Sequence, residues 1–388
     1  MEYLIKKQIN KKINFKNFNK KIVLNTKNIK NALNSEKYNV KHINFQKNSI
    51  NGIAKKYNDK CFFKILDKKE FENEIQGYMK IKDSLPVNSI EQILEFNNYF
   101  VIVYKYEKTI KKNNGLLNDF LVQNDVKIKK GSRQKMHKII NAYEKIFQNT
   151  IFNDEYPMQQ FFDGRIDSRL VKWYEHQDFF DYNISINGKV SKTTNEIIKE
   201  VINFYSNKKM YMCALSQGDP NTLNIGMKPI FFDFATSGYN PIICELATIF
   251  WSVIIADAYF CPKYHPKSYF GHENVFKNIP MFNPKIDYEI DKESKEINIQ
   301  SNFVTSEIRK IFILEYIKML KKIDIEINKE LIYFLIMRVL CVFNLNEMED
   351  QDFFYSIFIL HFLYKNISDD GYKSLNDIIE KLKIIGDK

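Results

Sequence analysis

Three oxygen-bearing side chains share one short stretch of this chain: Asp219, Asn224 and Asp233, in QGDPNTLNIGMKPIFFD (217–233). Asp219 falls in a polar turn directly after the apolar segment MYMCALS. Asn224 opens the first strand of a hairpin whose GMKP centre is a turn, and Asp233 closes the second strand. A hairpin returns its ends to each other, so Asn224 and Asp233 are expected side by side, with Asp219 one short loop away. Such a set suits in-line phosphoryl transfer from a nucleotide. That reaction needs metal ions on the β- and γ-phosphates, an acidic residue to orient the acceptor hydroxyl, and a lysine to steady the α- and β-phosphates. Mg²⁺ prefers oxygen ligands and keeps several waters, so two or three carboxylate or amide oxygens suffice.

The order of residues also resembles a known family. Gly218-Asp219, Asn224 and Phe232-Asp233-Phe234 are followed by Gly238-Tyr239-Asn240-Pro241-Ile242-Ile243-Cys244-Glu245-Leu246-Ala247. This is similar to the H-G-D-x-x-x-x-N, hairpin, I-D-F/W, G-x-x-P-x-x-D-L-A series of the aminoglycoside phosphotransferase and choline kinase branch of the protein-kinase-like superfamily. The resemblance implies Asp219 as the catalytic base, Asn224 as a metal ligand and Asp233 as the principal Mg²⁺ ligand. Glu245 stands where the family often has a structural aspartate, and would hold loop backbone. Two departures are visible. Gln217 replaces the usual histidine, although its amide can donate a similar hydrogen bond. The hairpin between Asn224 and Asp233 is short for the family.

These residues need a scaffold. From about residue 38 the chain turns β-like: VKHINF, GIAKKY, KCFFKILD and NYFVIVYKYE are short runs of β-branched and aromatic residues divided by turns at QKNSING (46–52) and NDK (58–60). Between the third and fourth runs, Phe71, Ile75, Tyr78, Met79 and Ile81 recur at helical spacing, and Pro86 follows. Residues 38–106 therefore read strand, strand, strand, helix, strand. By the resemblance, Lys64 would be the phosphate-binding lysine and Glu74 its ion-pair partner, with Glu72 the alternative. KNSING, with Ser49 and Gly52, would be the loop over the phosphates, and the backbone around Tyr104 and Tyr106 would meet adenine.

Beyond residue 107 the pattern is helical, interrupted by the one β-like island at the hairpin. The expected architecture is α+β: a two-lobed protein-kinase-like fold with a small β-rich N-terminal lobe and a large, mainly helical C-terminal lobe. Residues 1–106 form the nucleotide-binding lobe, with 1–37 a weakly structured lead-in carrying a strand at KIVLN and a helix near IKNALNS. Residues 107–388 form the helical lobe.

Composition bounds the function. With 388 residues, 45% hydrophobic and 27% charged, the chain can bury a large core. Net charge is +11, yet of fifty-eight basic residues only Arg133, Arg165, Arg169, Arg309 and Arg338 are arginine. Nucleic-acid binders concentrate arginine, so the charge reads as a lysine-rich surface that attracts anions such as nucleotides. Five scattered cysteines without a C-x-x-C fit reduced thiols in a cytoplasmic protein. The start of the chain does not read as a secretory signal, and the longest apolar runs, near 249–255 and 331–337, are short for a bilayer, so no membrane partner is expected.

The segment 163–174 sets Arg165, Arg169, Lys172 and Trp173 at nearly helical spacing, either as a polar helix face or as contacts to an anionic acceptor. NEMEDQD (346–352) is an acidic candidate for a cationic acceptor, and otherwise a solvated loop. The expected activity is an ATP- or GTP-dependent kinase acting with Mg²⁺ on the hydroxyl of a small molecule of aminoglycoside, amino alcohol or sugar type. The alternative is a non-catalytic kinase-like protein that binds nucleotide or a partner, motivated by Gln217 and the glycine-poor loop. Protein kinase activity ranks last, because A-P-E and an evident activation segment are lacking.

Overall fold

The computed structural model describes the chain apart from residues 1–6, 8, 10–12, 19–23, 46–49, 97, 108–114, 155–161, 163, 176, 207–209, 267–283 and 386–388. Its N-terminal part is one six-stranded sheet. In chain order the elements are β1 (Asn14–Phe18), α1 (Thr26–Ser35), β2 (Tyr38–Phe45), β3 (Ile50–Lys56), β4 (Asp59–Asp67), α2 (Lys68–Ile81), β5 (Ile90–Phe96) and β6 (Tyr99–Lys105). The sheet order is β1-β5-β6-β4-β3-β2, antiparallel except for β1, which runs parallel to β5 at the edge. β4 alternates from Cys61 through Phe63 to Ile65, which are buried, before Leu66 is buried as well on the opposite face.

Helix α2 starts where Asp67 caps it, its carboxylate accepting the Glu70 N–H at 2.9 Å. Its buried face, Phe71, Glu74, Ile75, Tyr78 and Ile81, recurs every three or four residues. Gly77 sits on that face because a Cβ there would lie 1.7 Å from the Phe234 carbonyl oxygen. The helix thus packs directly onto the backbone that follows Asp233.

The helical part contains α3 (Leu117–Asn124), α4 (Ser132–Thr150), β7 (Phe152–Asp154), β8 (Asn183–Ile186), β9 (Lys189–Ser191), α5 (Thr194–Ser206), β10 (Tyr211–Ser216), β11 (Ile225–Gly226), β12 (Ile230–Phe231), β13 (Gly238–Pro241) and α6 (Ile242–Phe250). α6 continues without a break through a π-helical stretch, Trp251–Phe260, to Tyr264. Then come β14 (Ile286–Asp291), β15 (Glu296–Ser301), β16 (Val304–Thr305), α7 (Glu307–Lys322), α8 (Glu330–Val342), α9 (Asp350–Tyr364), α10 (Gly371–Lys381) and β17 (Lys383–Ile384). The two-lobed α+β plan expected from the sequence is the one observed.

Several local expectations change. IEQILEF is a strand, β5, where the sequence reading had none. Its spacing mimics a helix, and Gln92 is buried within the sheet because its side chain accepts from the Tyr38 hydroxyl at 2.7 Å and from Lys56 Nζ at 3.1 Å. The lead-in forms α1 as expected. KIVLN lies largely outside the described residues, and the strand that the lead-in does form is β1.

The hairpin is not the only β structure in the helical part. β10 pairs with β13 and β7, and a four-stranded sheet has the order β14-β15-β8-β9. β8 and β9 turn at Asn187-Gly188, with φ of 50° and 74°, the left-handed pair that a tight hairpin requires. The run Ile242–Tyr264 is longer than its apolar core suggested. It is a 23-residue helix apolar enough to cross a bilayer, but its most apolar stretch is wholly buried within the fold. Segment 163–174 is in part π-helical, over Ile166–Val171. In NEMEDQD, Asp352 is buried rather than solvated. It accepts from the Tyr259 hydroxyl at 2.5 Å and from Lys263 Nζ at 2.6 Å, tying α9 to the end of the long helix.

Candidate active site

The site lies where α2 and β4 of the sheet meet the hairpin β11–β12. Lys64, on β4, faces α2 and donates to Glu74 Oε1 at 3.0 Å. The same Nζ donates to Asp233 Oδ1 at 2.8 Å. Glu74 rather than Glu72 is therefore the partner of Lys64. Glu74 is buried and fully engaged: Oε1 also accepts the Tyr104 hydroxyl at 2.7 Å, and Oε2 accepts the Phe234 N–H at 3.2 Å.

The electrostatics follow from this arrangement. Burial works against the charge on Lys64, but the Asp233 and Glu74 carboxylates outweigh it and hold its pKa above the ordinary value. Lys64 in turn holds the Asp233 carboxyl below its usual range. Burial raises the Glu74 pKa, with Lys64 opposing.

Asp233 stands in the left-handed region, at φ 63°, a conformation that costs an aspartate less than most residues. Its carboxylate is about half exposed, at 49%. The hairpin continues past its ladder, the Phe232 N–H donating to the Asn224 carbonyl at 3.0 Å. Asn224 and Phe232, the residue before Asp233, therefore face each other at its open end. Asn224 Nδ2 donates to the Asp219 carbonyl at 3.0 Å, which turns its Oδ1 away from that contact.

The loop 217–224 is held from below. The Thr222 N–H donates to Ser252 Oγ at 2.9 Å, and the hydroxyls of Thr222 and Ser252 both donate to buried Asp257. The Asn118 N–H donates to the Thr222 carbonyl at 3.0 Å. Gln217 is buried. Its Oε1 accepts the Asp219 N–H at 2.9 Å, and its Nε2 donates to the carbonyls of Phe232, at 2.9 Å, and Asp233. Gly218 has φ 88°, and a Cβ there would lie 2.2 Å from the Thr236 carbonyl oxygen.

Burial raises the Asp219 pKa, while Arg338 and Arg165 pull it down. Arg338 Nη2 lies 3.5 Å from Asp219 Oδ1. Glu245 is wholly buried at the start of α6, next to the Ser216 hydroxyl and the Gly218 N–H, and burial pushes its carboxyl up to about 8.

The remaining sequence candidates fall elsewhere. Gly52 is not in a turn: it lies within β3, opposite Ile43 and Phe63, where a Cβ would meet the His42 carbonyl oxygen at 2.2 Å and the Phe63 ring at 2.6 Å. Close packing of the sheet accounts for that glycine. Ser49 lies outside the described residues. Tyr104 is a ladder residue of β6, opposite Phe62 on one side and Ile90 on the other, and its hydroxyl serves Glu74. Tyr106 lies just past β6, with Lys60 Nζ 5.5 Å from its ring centroid.

Three participants had no prominence in the sequence: Arg338, Tyr104 through its hydroxyl, and Gly77. A lone arginine in the apolar run LIYFLIMRVLCV was the available signal, because a buried charge needs a partner.

Asp233 and Asn224 offer hard oxygen donors, and the low pKa of Asp233 keeps it ionised. This chemistry fits Mg²⁺. The described residues contain no group of three or more His, Cys, Asp and Glu side chains able to hold a metal, so a cation here would draw further ligands from phosphate and water.

No protein-family profile matches the chain, and no curated protein matches it. Among solved structures it is similar to amicoumacin kinase hAmiN in complex with AMP-PNP, Ca²⁺ and Ami, at 11% identity and TM-score 0.42 over 91% of each chain. It is also similar to aminoglycoside phosphotransferase APH(4)-Ia, at 9% identity and TM-score 0.45 over 91% of this chain and 98% of that one. A third is the microcompartment-associated aminopropanol kinase, at 10% identity and TM-score 0.43 over 88% and 97%.

Proposed function

We propose that this protein is an ATP- or GTP-dependent phosphotransferase that moves the γ-phosphoryl group to the hydroxyl of a small molecule. The observation that carries the proposal is the bridge made by Lys64, 3.0 Å from Glu74 and 2.8 Å from Asp233. It joins the sheet that would hold the nucleotide to the hairpin that would hold the metal.

In this reading Lys64, steadied by Glu74 and Tyr104, moves from Asp233 to the α- and β-phosphates when nucleotide enters. Asp233 and Asn224 would hold Mg²⁺, which would supply neutralisation of phosphate charge. Asp219 accepts a hydrogen bond from the acceptor hydroxyl and takes its proton as that oxygen bonds to the γ-phosphorus. The bond from the γ-phosphorus to the β-bridging oxygen breaks, and the nucleoside diphosphate leaves. Burial favours this role, since it raises the Asp219 pKa and makes a stronger base. Residues 1–106 would form the nucleotide side and 107–388 the acceptor side, in a protein working in the cytoplasm free of membrane.

The test is ADP release from Mg·ATP with a panel of amino alcohols, sugars, aminoglycosides and hydroxy acids, comparing wild type with Asp219→Asn and Asp233→Ala. Acceptor-dependent release by wild type, lost in both variants, is expected. Nucleotide binding without release above the variants would leave a non-catalytic binding protein, and no nucleotide binding at all would end the kinase-like reading.

A further inference from the structure

Arginine is scarce in this chain: five among fifty-eight basic residues. One of them, Arg309, is buried in a bidentate pair with Asp125 far from solvent. Three of the other four lie around one turn of α8. Arg338, on α8, lies 3.5 Å from the Asp219 carboxylate. One turn further along α8, the Cys341 carbonyl accepts Arg169 Nη1 at 2.5 Å and Arg165 Nη1 at 3.4 Å. Trp173 lies beside Arg169, its ring centroid 5.4 Å from the guanidinium carbon, a contact that holds the guanidinium plane.

Burial, and then the neighbouring Arg338 and Arg169, hold the Arg165 pKa below its ordinary value, with Asp219 opposing. Three guanidiniums around one turn of α8 give this end of the site a positive potential, which favours an anion. The choice of arginine is also informative, because its planar fork pairs with carboxylate or phosphate through two parallel hydrogen bonds, which lysine cannot do. The direction of approach separates this cluster from the nucleotide side. Arg338 reaches Asp219 from a helix packed against α6 and α9 in the helical part, whereas Lys64 reaches Asp233 from the sheet.

We propose that the acceptor carries an anionic group, a carboxylate or a phosphate, besides the hydroxyl that is phosphorylated, and that Arg165 and Arg169 bind it while Arg338 positions Asp219. This rests on the phosphotransferase reading above. A cationic amino alcohol or aminoglycoside would meet repulsion at the point where its hydroxyl must approach Asp219. The product is a phosphomonoester of the anionic acceptor, formed by the same transfer, with the hydroxyl proton passing to Asp219.

The test uses the full chain saturated with Mg²⁺ and AMP-PNP, titrated calorimetrically with four small compounds: glycerate, glycerol 3-phosphate, glycerol and ethanolamine. At least one anionic compound is expected to bind roughly tenfold or more tighter than glycerol and ethanolamine, and Arg169→Gln to weaken that binding on the order of tenfold, with Arg169→Lys intermediate. The stronger of glycerate and glycerol 3-phosphate identifies the anionic group. Equal binding of all four compounds, preference for ethanolamine, no binding of either anion, or unchanged anion binding in Arg169→Gln would each overturn the inference while leaving nucleotide binding intact. Failure of wild type to bind AMP-PNP would instead remove the phosphotransferase reading, and this inference with it.

Discussion

Gln217 Oε1 accepts the backbone N–H of Asp219 at 2.9 Å, while the same side chain donates to the carbonyls of Phe232 and Asp233. One amide therefore holds two strand ends in register: the loop presenting Asp219 and the turn presenting Asp233. A neutral imidazole at this position would also offer a donor and an acceptor, though one donor fewer than the amide. Where the resembled family has histidine, glutamine makes the bridge here, so its presence is no reason to expect an inert site.

Gln217→Ala leaves a buried N–H and two buried carbonyls without this partner, and is expected to cost about 1–3 kcal/mol in stability. Because Asp219 and Asp233 then drift relative to each other, turnover is expected to fall on the order of a hundredfold. Gln217→His is expected to restore most of both. Chemical denaturation and acceptor-dependent ADP release measure the two effects on the same preparations.

Lys64→Met removes the cation between two carboxylates. Glu74, 2% exposed, is then buried without its charge partner, and a loss of about 3–5 kcal/mol is expected. Adding Glu74→Gln should recover part of that stability and none of the activity. A double-mutant cycle on melting temperature, read beside turnover, separates the structural share of the bridge from the catalytic one. In the same assay Asp233→Ala should lower turnover by roughly 10²–10³.

Gly77→Ala drives a methyl group against the Phe234 carbonyl oxygen, 1.7 Å away. Helix and loop must part, at a cost of about 1–3 kcal/mol. The loop that moves carries Asp233, so nucleotide affinity should fall as well. Alanine at Gly188, which has open space around it, is the control: it strains the backbone of a tight turn and should leave nucleotide binding unchanged.

The Glu245 carboxyl, pushed up to about 8 by burial, would titrate near 4.5 in the unfolded chain. Between those values the folded state binds more protons than the unfolded one, so stability falls as pH rises from about 4.5 through about 8 and levels off above. Glu245→Gln removes this slope. Its melting temperature should equal that of wild type near pH 4 and exceed it at pH 9. A wild-type curve that does not diverge from that of the variant across this window would show that Glu245 is ionised throughout.

Local chemistry was readable from the sequence where it is encoded locally. The hairpin at 224–233 announces itself through GMKP, and α2 through its apolar spacing and the Pro86 that follows. β5 was not readable: Gln92 sits inside the sheet only because Tyr38 and Lys56, far along the chain, satisfy it. The strands of the second sheet alternate plainly, as in EINIQS, yet β15 finds its partner β8 more than a hundred residues earlier, and no local pattern states that pairing. The arginine cluster is hidden for the same reason. Arg165 and Arg169 precede Arg338 by some 170 residues, and only the packing of α8 makes them neighbours.

The parallel pairing of β1 with β5 has a consequence for how the protein is made. Residues 14–18 leave the ribosome well before their partner, residues 90–96, which follows only after β2, β3, β4 and α2 have emerged. The antiparallel ladder β2-β3-β4 can close from neighbouring segments in the meantime, since short loops close at little entropic cost. β1 therefore waits for its partner while the ladder beside it closes. During that interval its exposed backbone is open to pairing with another nascent chain.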